Sequence, residues 1–273
     1  AGLFGGASTV LANPISEDLK VMRPTMLAGL LSATRRNLDR GATSVRLFEI
    51  GRRYLGDGER LTVGLVLAGE KAPRSWDTNV FGGKAARFDA YDAKAEALAL
   101  LAAAGAPVDN LQLMGDAGAH YHPGQSATLR LGPKLVLAAF GALHPATAKA
   151  FDLDGPVMVA EIFLDAIPAK RGQQGFMRPA YTPPPLQAVT RDFAFLVPAD
   201  LAAGDLVRAI KGSDKANIVG ARIFDRFEKD GQLSLAIEVT LQPVDKSYDE
   251  AALKAISDAV VAAAAKLGAE LRS

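Results

Sequence analysis

Three histidines are the side chains in this sequence whose type and spacing could hold a metal ion. His120 and His122 flank one residue and would point to the same side of an extended strand, and His144 follows nearby in the chain. The spacing fixes no third ligand. His122 and His144 each precede a proline, which is also typical of turns in which an imidazole accepts a backbone hydrogen bond. A metal-dependent hydrolase therefore stays open as a distant alternative.

Signatures of several other chemistries are missing from the sequence. It contains no GxxxxGK[ST] phosphate loop, no GxSxG nucleophile elbow, no HExxH zinc motif and no glycine-rich dinucleotide turn. There is no cysteine among the 273 residues, which excludes disulfides, thiolate metal ligands and a cysteine nucleophile. Enzyme classes that depend on these features are excluded.

The charge is nearly balanced, with 31 Lys and Arg against 30 Asp and Glu, but it is unevenly distributed. From residue 182 onward 11 Lys and Arg face 13 Asp and Glu, so this segment does not bind nucleic acid through bulk charge. Recognition of RNA by aromatic stacking and a few placed polar groups stays open. An early basic excess fits a solvated helix face, an RNA-backbone contact or a subunit interface. Its arginines include Arg35, Arg36, Arg40, Arg52 and Arg53.

The elements that must position such groups fall into two regions. In the first, apolar spacing predicts a helix that begins at Pro24 and ends before Gly41, and a second helix over Asp89–Ala104. Alternating or continuous apolar runs predict strands. These strands are Val45–Ile50, Leu61–Ala68, Ser126–Leu131, Val136–Leu143 and Val157–Leu164.

The second region follows a segment rich in proline and glycine, residues 168–181, which we interpret as a linker. Beyond it the predicted order is βαββαβ, which favours a ferredoxin-like domain of four antiparallel strands and two helices. Asp200 is predicted to cap the first helix of this domain, and Asp249 to place negative charge at the start of the second. The predicted elements are 192–197, 201–211, 219–227, 233–241, 249–267 and 269–272.

A series of short motifs, in one order along nearly the whole chain, resembles the β subunit of bacterial phenylalanyl-tRNA synthetases. The motifs lie at residues 13–19, 22–23, 35–38, 47–52, 88–94, 122–124, 141–145, 161, 191–194 and 224–225.

This resemblance implies an α+β fold in three parts. Residues 1–167 would form a class II aminoacyl-tRNA synthetase-like module, an antiparallel sheet flanked by helices, N-terminally truncated and non-catalytic. Residues 168–181 would be the linker, and residues 182–273 the ferredoxin-like βαββαβ anticodon-binding domain. Only Leu47–Arg53 resembles a strand of a class II motif, and the glycine-rich segment ending in Glu-Arg that helps class II enzymes hold ATP does not occur.

The resemblance also implies a set of RNA-binding residues. Phe227 would stack on an anticodon base and Asp225 would accept hydrogen bonds from a base edge. Three structural alternatives stay open: a core position for Phe227, an ordinary strand position for Ser234 and a frayed terminus without contacts for Arg272. Leu233 stands where the family usually has a lysine. The remaining members of the predicted set are Ser234, Ala194 and Arg272.

As a whole, the resemblance implies a C-terminal part of the β subunit that packs on the catalytic α subunit in an α2β2 tetramer and recognises tRNA-Phe. ATP and magnesium would serve the parent complex in the cytoplasm. We expect no catalytic residue, cofactor or metal in this segment, and no membrane or DNA partner. We expect the segment alone to be inactive, and the start without Met to mark a piece of a longer chain. A stand-alone RNA-binding or scaffold protein is the alternative.

Overall fold

The computed structural model of the chain describes residues 2–4, 9–16, 20–72, 85–115, 117–169 and 180–272. The chain divides into two compact units, Ala1–Gln174 and Gly175–Ser273. Most of the predicted linker and part of the first family motif lie outside the described residues, so the linker boundaries stay a prediction. In the part of the chain that is described, no helix is long and apolar enough to cross a bilayer.

The first unit is built on a six-stranded sheet in the order β1-β2-β6-β5-β4-β3, with every neighbouring pair antiparallel. All five predicted strands are present, several of them longer than expected. The short strand β3 and the short helix α3 were not predicted. The elements are α1 (Leu27–Asp39), β1 (Ser44–Leu55), β2 (Gly58–Gly69), α2 (Ala90–Ala103), β3 (Gln112–Met114), β4 (Tyr121–Leu131), β5 (Leu135–Leu143), α3 (Pro145–Ala150) and β6 (Val157–Phe163).

Both faces of this sheet carry a hydrophobic core. Helix α2 packs Ala97 and Leu101 on one face, in a cluster that includes Leu65 and Phe140. The opposite face is covered by α1 and α3, and the cluster there includes Leu31, Ala148, Val66 and Val159. Strands covered on both faces read as continuous apolar runs, and β2, β5 and β6 have that pattern.

The helices of the first unit begin at specific capping groups. Asp89 accepts hydrogen bonds from the backbone N–H groups of Tyr91 and Asp92, and the Asp92 side chain accepts from the Asp89 N–H, so α2 starts as a capping box. Helix α1 begins at Leu27, three residues later than predicted from Pro24. Two side chains bind the backbone just before this start: the Thr25 hydroxyl accepts a hydrogen bond of 3.1 Å from the Leu27 N–H, and Glu161 of β6 accepts one from the Met26 N–H.

The second unit has four antiparallel strands in the order β10-β7-β9-β8, with two helices. The βαββαβ order confirms the predicted ferredoxin-like arrangement, and the two sheets together confirm the α+β class. The Asp249 carboxylate accepts a hydrogen bond from the Ala252 N–H, as expected of a cap. The elements are β7 (Val189–Val197), α4 (Ala203–Ser213), β8 (Ile218–Lys229), β9 (Gln232–Leu241), α5 (Glu250–Ala265) and β10 (Glu270–Leu271).

One capping prediction for this unit is wrong. Helix α4 begins after Ala202, which makes no side-chain capping bond, and Asp200 lies two residues too early. The cause is the turn after β7, in which the Leu201 N–H donates to the Pro198 carbonyl and delays the helix.

Candidate functional site

The sheet of the second unit has a face turned away from its helices. On β9, the side chains of Leu235, Ile237 and Val239 join the core with α4 and α5. Successive side chains of a strand point to opposite faces, so Ser234 and Ala236 point away from that core. We call this side the open face. From strand alternation and register it includes Asp192, Ala194, Leu196, Arg222, Asp225, Phe227, Ser234, Ala236, Glu238 and Arg272.

The chain terminus reaches the open face through β10. Leu271 pairs with Phe195 of β7, and the Arg272 N–H donates a hydrogen bond of 2.7 Å to the Ala194 carbonyl. This bond places Arg272 level with Ala194. The backbone of Arg272 is therefore held by the sheet, in contrast to the alternative of a frayed terminus that contacts nothing.

A β-bulge in β8 decides which residues of that strand reach the open face. Ile223 pairs with Ile237, but the next pair joins Asp225 to Ala236, so Phe224 is an extra residue without a partner on β9. A bulge of this kind shifts the alternation by one position. Asp225 consequently takes the orientation that a regular strand would give to Phe224, and Phe227 follows it on the same face, opposite Ser234.

These contributions from four strands form one depression with a volume of about 380 Å³. All five residues of the predicted RNA-binding set line it, together with one residue that sequence reasoning missed. The lining residues are Ala194, Asp225, Phe227, Ser234, Ala236 and Arg272. The structure thus brings the whole predicted set together, while the role of each residue in binding RNA stays a prediction.

The aromatic side chain of this depression is available to a ligand. Phe227 is 52% exposed, so it is not a core residue. An exposed aromatic ring offers a surface on which a nucleic acid base can stack. Ser234, which pairs with Phe227 across β8 and β9, is only 5% exposed and lies at the bottom of the depression.

Two charged side chains lie at opposite sides of the depression. Asp225 is exposed on β8, and its Oδ1 accepts a hydrogen bond of 2.8 Å from the Arg226 N–H. Each carboxylate oxygen has further lone pairs, so Asp225 can still accept bonds from donors on a base edge. Arg272 is exposed on the β10 side and carries guanidinium donors that suit phosphate or a base acceptor.

Ala236 is the lining residue that sequence reasoning missed. The register sets it between Ala194 on β7 and Asp225 on β8. Period-two alternation could have found it, because Ala236 lies midway between Ser234 and Glu238 on the open side of β9. Leu233, which stands where the family usually has a lysine, is half-buried against the core of this unit.

An ion pair lies on the open face next to the residues of the depression. The Arg222 guanidinium donates to both carboxylate oxygens of Glu238, at 2.8 and 3.0 Å. On the neighbouring strand β7, Asp192 lies opposite Glu238 in the register of the sheet. The hydrogen bond to Glu238 raises the pKa of Arg222 above its ordinary value, and Asp192 adds to the effect. This charged row therefore lies directly beside the small residues Ala194 and Ala236.

The three histidines of the first unit make local contacts with nearby backbone or rings. Nδ1 of His122 accepts from the Gly124 N–H and Nδ1 of His144 accepts from the Ala146 N–H, each at 3.1 Å, which confirms that these imidazoles fix the local backbone. The His120 ring packs on Phe4 and is partly buried, which lowers its pKa. Among the described residues, no three His, Asp or Glu side chains lie together in a way that could hold a metal ion.

The first unit contains a buried carboxylate. Glu161 on β6 is 5% exposed and accepts hydrogen bonds from the Thr25 hydroxyl at 2.8 Å and the Met26 N–H at 2.9 Å. Burial raises the pKa of Glu161, against the effect of these bonds and of Arg53. Because the carboxylate is enclosed and caps α1, its role is structural.

The early arginines are mostly engaged within the first unit. Arg35 pairs with Asp39 and Arg52 with Glu59. Arg53 is half-buried, with its guanidinium 4.2 Å from the centre of the Phe163 ring. Part of the early basic cluster is thus paired within the first unit. These contacts are compatible with both a solvated face and a subunit interface.

Comparison with known proteins first defines the class to which the second unit belongs. The family model described as "Ferredoxin-fold anticodon binding domain" matches residues 184–272. The open face and its depression lie within this match. The second unit thus matches the ferredoxin-fold anticodon-binding domain family.

The first unit identifies the family of the whole chain. The model described as "Phenylalanyl tRNA synthetase beta chain CLM domain" matches residues 5–164. The chain belongs to the phenylalanyl tRNA synthetase beta chain family, as the sequence motifs predicted.

Similar full-length proteins agree with this family. The phenylalanine–tRNA ligase beta subunit of Novosphingobium aromaticivorans is 70% identical over 277 residues, which cover 98% of this chain and 34% of that protein. The subunit of the same name from Zymomonas mobilis is 56% identical, covering 100% of this chain and 34% of that protein. The chain therefore spans about a third of the length of these relatives.

Among solved structures, a pyrrolysyl tRNA synthetase of Desulfitobacterium hafniense matches with a TM-score of 0.42 and 18% identity. The match covers 58% of this chain and 51% of that one, and at this TM-score it supports no inference about function.

Proposed function

We propose that the second unit recognises the anticodon of tRNA-Phe through the depression on its open face. The observation that carries this proposal is the convergence of an exposed aromatic ring, a carboxylate and a guanidinium around small residues of β7 and β9. Single-stranded RNA loops are read by stacking and by hydrogen bonds to base edges, and these three groups supply both.

The charge of the second unit supports this mode of binding over a purely electrostatic one. With 11 basic and 13 acidic residues, the segment from residue 182 gains little from phosphate attraction as a whole. Affinity must therefore come from placed contacts. Phe227 stacks on a base, Asp225 accepts from its edge and Arg272 donates to the RNA, while Ser234 and Ala194 shape the depression.

Substitution of Phe227 tests the proposal. Phe227→Ala removes one stacking platform, so binding of the cognate anticodon stem-loop should weaken by about 1–3 kcal/mol. Phe227→Tyr retains the ring and should bind at least as well as the unchanged chain. Affinities are measured by titration of labelled stem-loop at one fixed salt concentration.

A matched control uses an exposed phenylalanine of the other unit. Phe48 on β1 is 68% exposed, and Phe48→Ala should leave stem-loop affinity unchanged. Equal affinity of the Phe227→Ala variant and the unchanged chain, or no binding by the unchanged chain, would refute anticodon recognition by this face.

For the chain as a whole, we propose a non-catalytic C-terminal part of the β subunit that packs on the catalytic α subunit of an α2β2 phenylalanyl-tRNA synthetase. In this proposal the α subunit carries the chemistry, with ATP and magnesium, and the complex works in the cytoplasm. The segment itself needs no cofactor. Membership in the beta chain family favours this function over a stand-alone RNA-binding or scaffold protein.

Co-purification tests the subunit assignment. A tagged copy of this chain is co-expressed with the α subunit of the same synthetase, and the two should elute together in a fixed ratio. An unrelated class II synthetase subunit serves as the control bait. Separate elution of the two chains at micromolar concentration would contradict the proposed assembly.

A further inference from the structure

The floor of the depression is formed by three small side chains, Ala194, Ala236 and Ser234. Ala194 and Ala236 are paired across β7 and β9, so their side chains stand side by side on the open face. Larger side chains follow on the same face along both strands, Leu196 and Asp192 on β7 and Glu238 on β9. The small side chains of the alanine pair, with Ser234 beside Ala236 on β9, therefore leave the space of the depression.

Two charged side chains, Arg272 and Asp225, lie on opposite sides of this floor. Arg272 continues β10, and Asp225 lies on β8, with β7 and β9 between them. Three interstrand spacings of about 4.8 Å separate these outer strands, or roughly 14 Å. A guanidinium attracts phosphate, whereas a carboxylate repels phosphate and accepts from base N–H groups.

We propose that Ala236 is a specificity-determining residue, because a nucleotide lies across the alanine floor with its phosphate toward Arg272 and its base edge toward Asp225. This inference rests on the proposed function. A methyl side chain at position 236 allows the base to approach the sheet closely enough to contact Phe227 and Asp225 together. A larger side chain lifts the base away from both groups.

Substitutions of graded size at position 236 test the floor. Ala236→Leu should weaken stem-loop binding by roughly ten- to hundredfold, comparable to the loss of a stacked base. Ala236→Val should give a smaller loss, and Ala236→Ser, which is close to alanine in size, should retain most of the affinity. Position 236 points away from the core, so thermal unfolding should be little changed in all three variants.

A control on the same strand distinguishes the effect of filling the depression from the effect of adding bulk elsewhere on the open face. Thr240 lies two alternate positions further along β9, on the open side, and does not line the depression. Thr240→Leu adds bulk to the same face and should leave affinity unchanged. Equal losses for Ala236→Leu and Thr240→Leu would overturn the specific role of Ala236.

The orientation of the nucleotide has its own test. Arg272→Gln should lower the slope of log affinity against log salt by about one phosphate contact, whereas Asp225→Asn should leave the slope unchanged and alter discrimination among base substitutions in the loop. The reverse assignment of these two effects would overturn the proposed orientation.

The proposed function and this inference fail separately. If Phe227→Ala weakens binding and Ala236→Leu does not, anticodon recognition stands and the role of Ala236 is wrong. If neither variant changes affinity, the proposed function itself is wrong.

Discussion

The two sheets of this chain use small residues in opposite ways. In the first sheet, Gly51 and Gly64 lie under the segment that leads into α1. A Cβ at Gly64 would lie 2.5 Å from the Cβ of Met26, and one at Gly51 would lie 2.4 Å from the Arg23 guanidinium. In the second sheet, Ala194 and Ala236 form the floor of an open depression.

The role of a small strand residue therefore depends on what covers its face of the sheet. Where helices cover both faces, the missing side chain is filled by a neighbouring group and contributes to packing density. Where one face is bare, the same missing side chain leaves room for a ligand. The carboxylates of the two sheets differ in the same way. Glu161 is buried and accepts hydrogen bonds within the first unit, whereas Asp225 is exposed.

The largest effect that tests this comparison is expected at Glu161. Glu161→Ala leaves the Thr25 hydroxyl and the Met26 N–H buried without their acceptor, at about 1–3 kcal/mol for each donor. We therefore expect a loss of about 2–5 kcal/mol in the unfolding free energy of the first unit, measured by urea unfolding with hydrogen exchange of its peptides. Glu161→Gln keeps an acceptor and should lose less.

The counterpart in the second sheet is the exposed pair of Glu238 and Arg222. Glu238→Ala should change stability by no more than about 1 kcal/mol, as is usual for a solvated ion pair. Similar losses for the Glu161 and Glu238 variants would contradict the contrast between enclosed and open faces.

A glycine in each sheet gives the second test. Gly64→Ala forces a methyl group against Met26 and Leu30 and should destabilise the first unit by about 1–3 kcal/mol. In the second sheet, a Cβ at Gly220 would lie 3.4 Å from the Thr240 Oγ1, an ordinary contact. Gly220→Ala should therefore be neutral or slightly stabilising. Thermal unfolding of both variants measures the two effects, and a neutral Gly64→Ala would show that the segment before α1 does not pack tightly on the first sheet.

The smallest effect concerns the dependence of stability on pH. Burial lowers the pKa of His120 in the folded state, so the unfolded chain takes up a proton first as the pH falls below about 6.5. The contribution of His120 is thus fully present above that pH and is lost on acidification. His120→Leu removes this titration, and its unfolding midpoint should fall less between about pH 7.5 and 5.5 than that of the unchanged chain. Parallel pH profiles would mean that His120 is not enclosed.

Local patterns in the sequence predicted most of the fold. The apolar runs of β2, β5 and β6 identified buried strands, and Asp89 and Asp249 marked helix starts, because both signals depend on neighbours along the chain. The prediction from Pro24 placed the start of α1 three residues too early, because Thr25 and Glu161 bind the N–H groups of Leu27 and Met26 just before the helix. Asp200 failed as a cap because the turn after β7 extends past it.

The order of all longer helices and strands, the family resemblance and five of the six residues around the depression could be predicted from the sequence. The tertiary structure alone decided that these residues meet. The bulge at Phe224 turns Asp225 and Phe227 to the open face, the register of β7 and β9 adds Ala236, and β10 brings Arg272 beside Ala194. The physical reason is that strand register and bulges depend on partners far apart in the chain, which local periodicity does not contain.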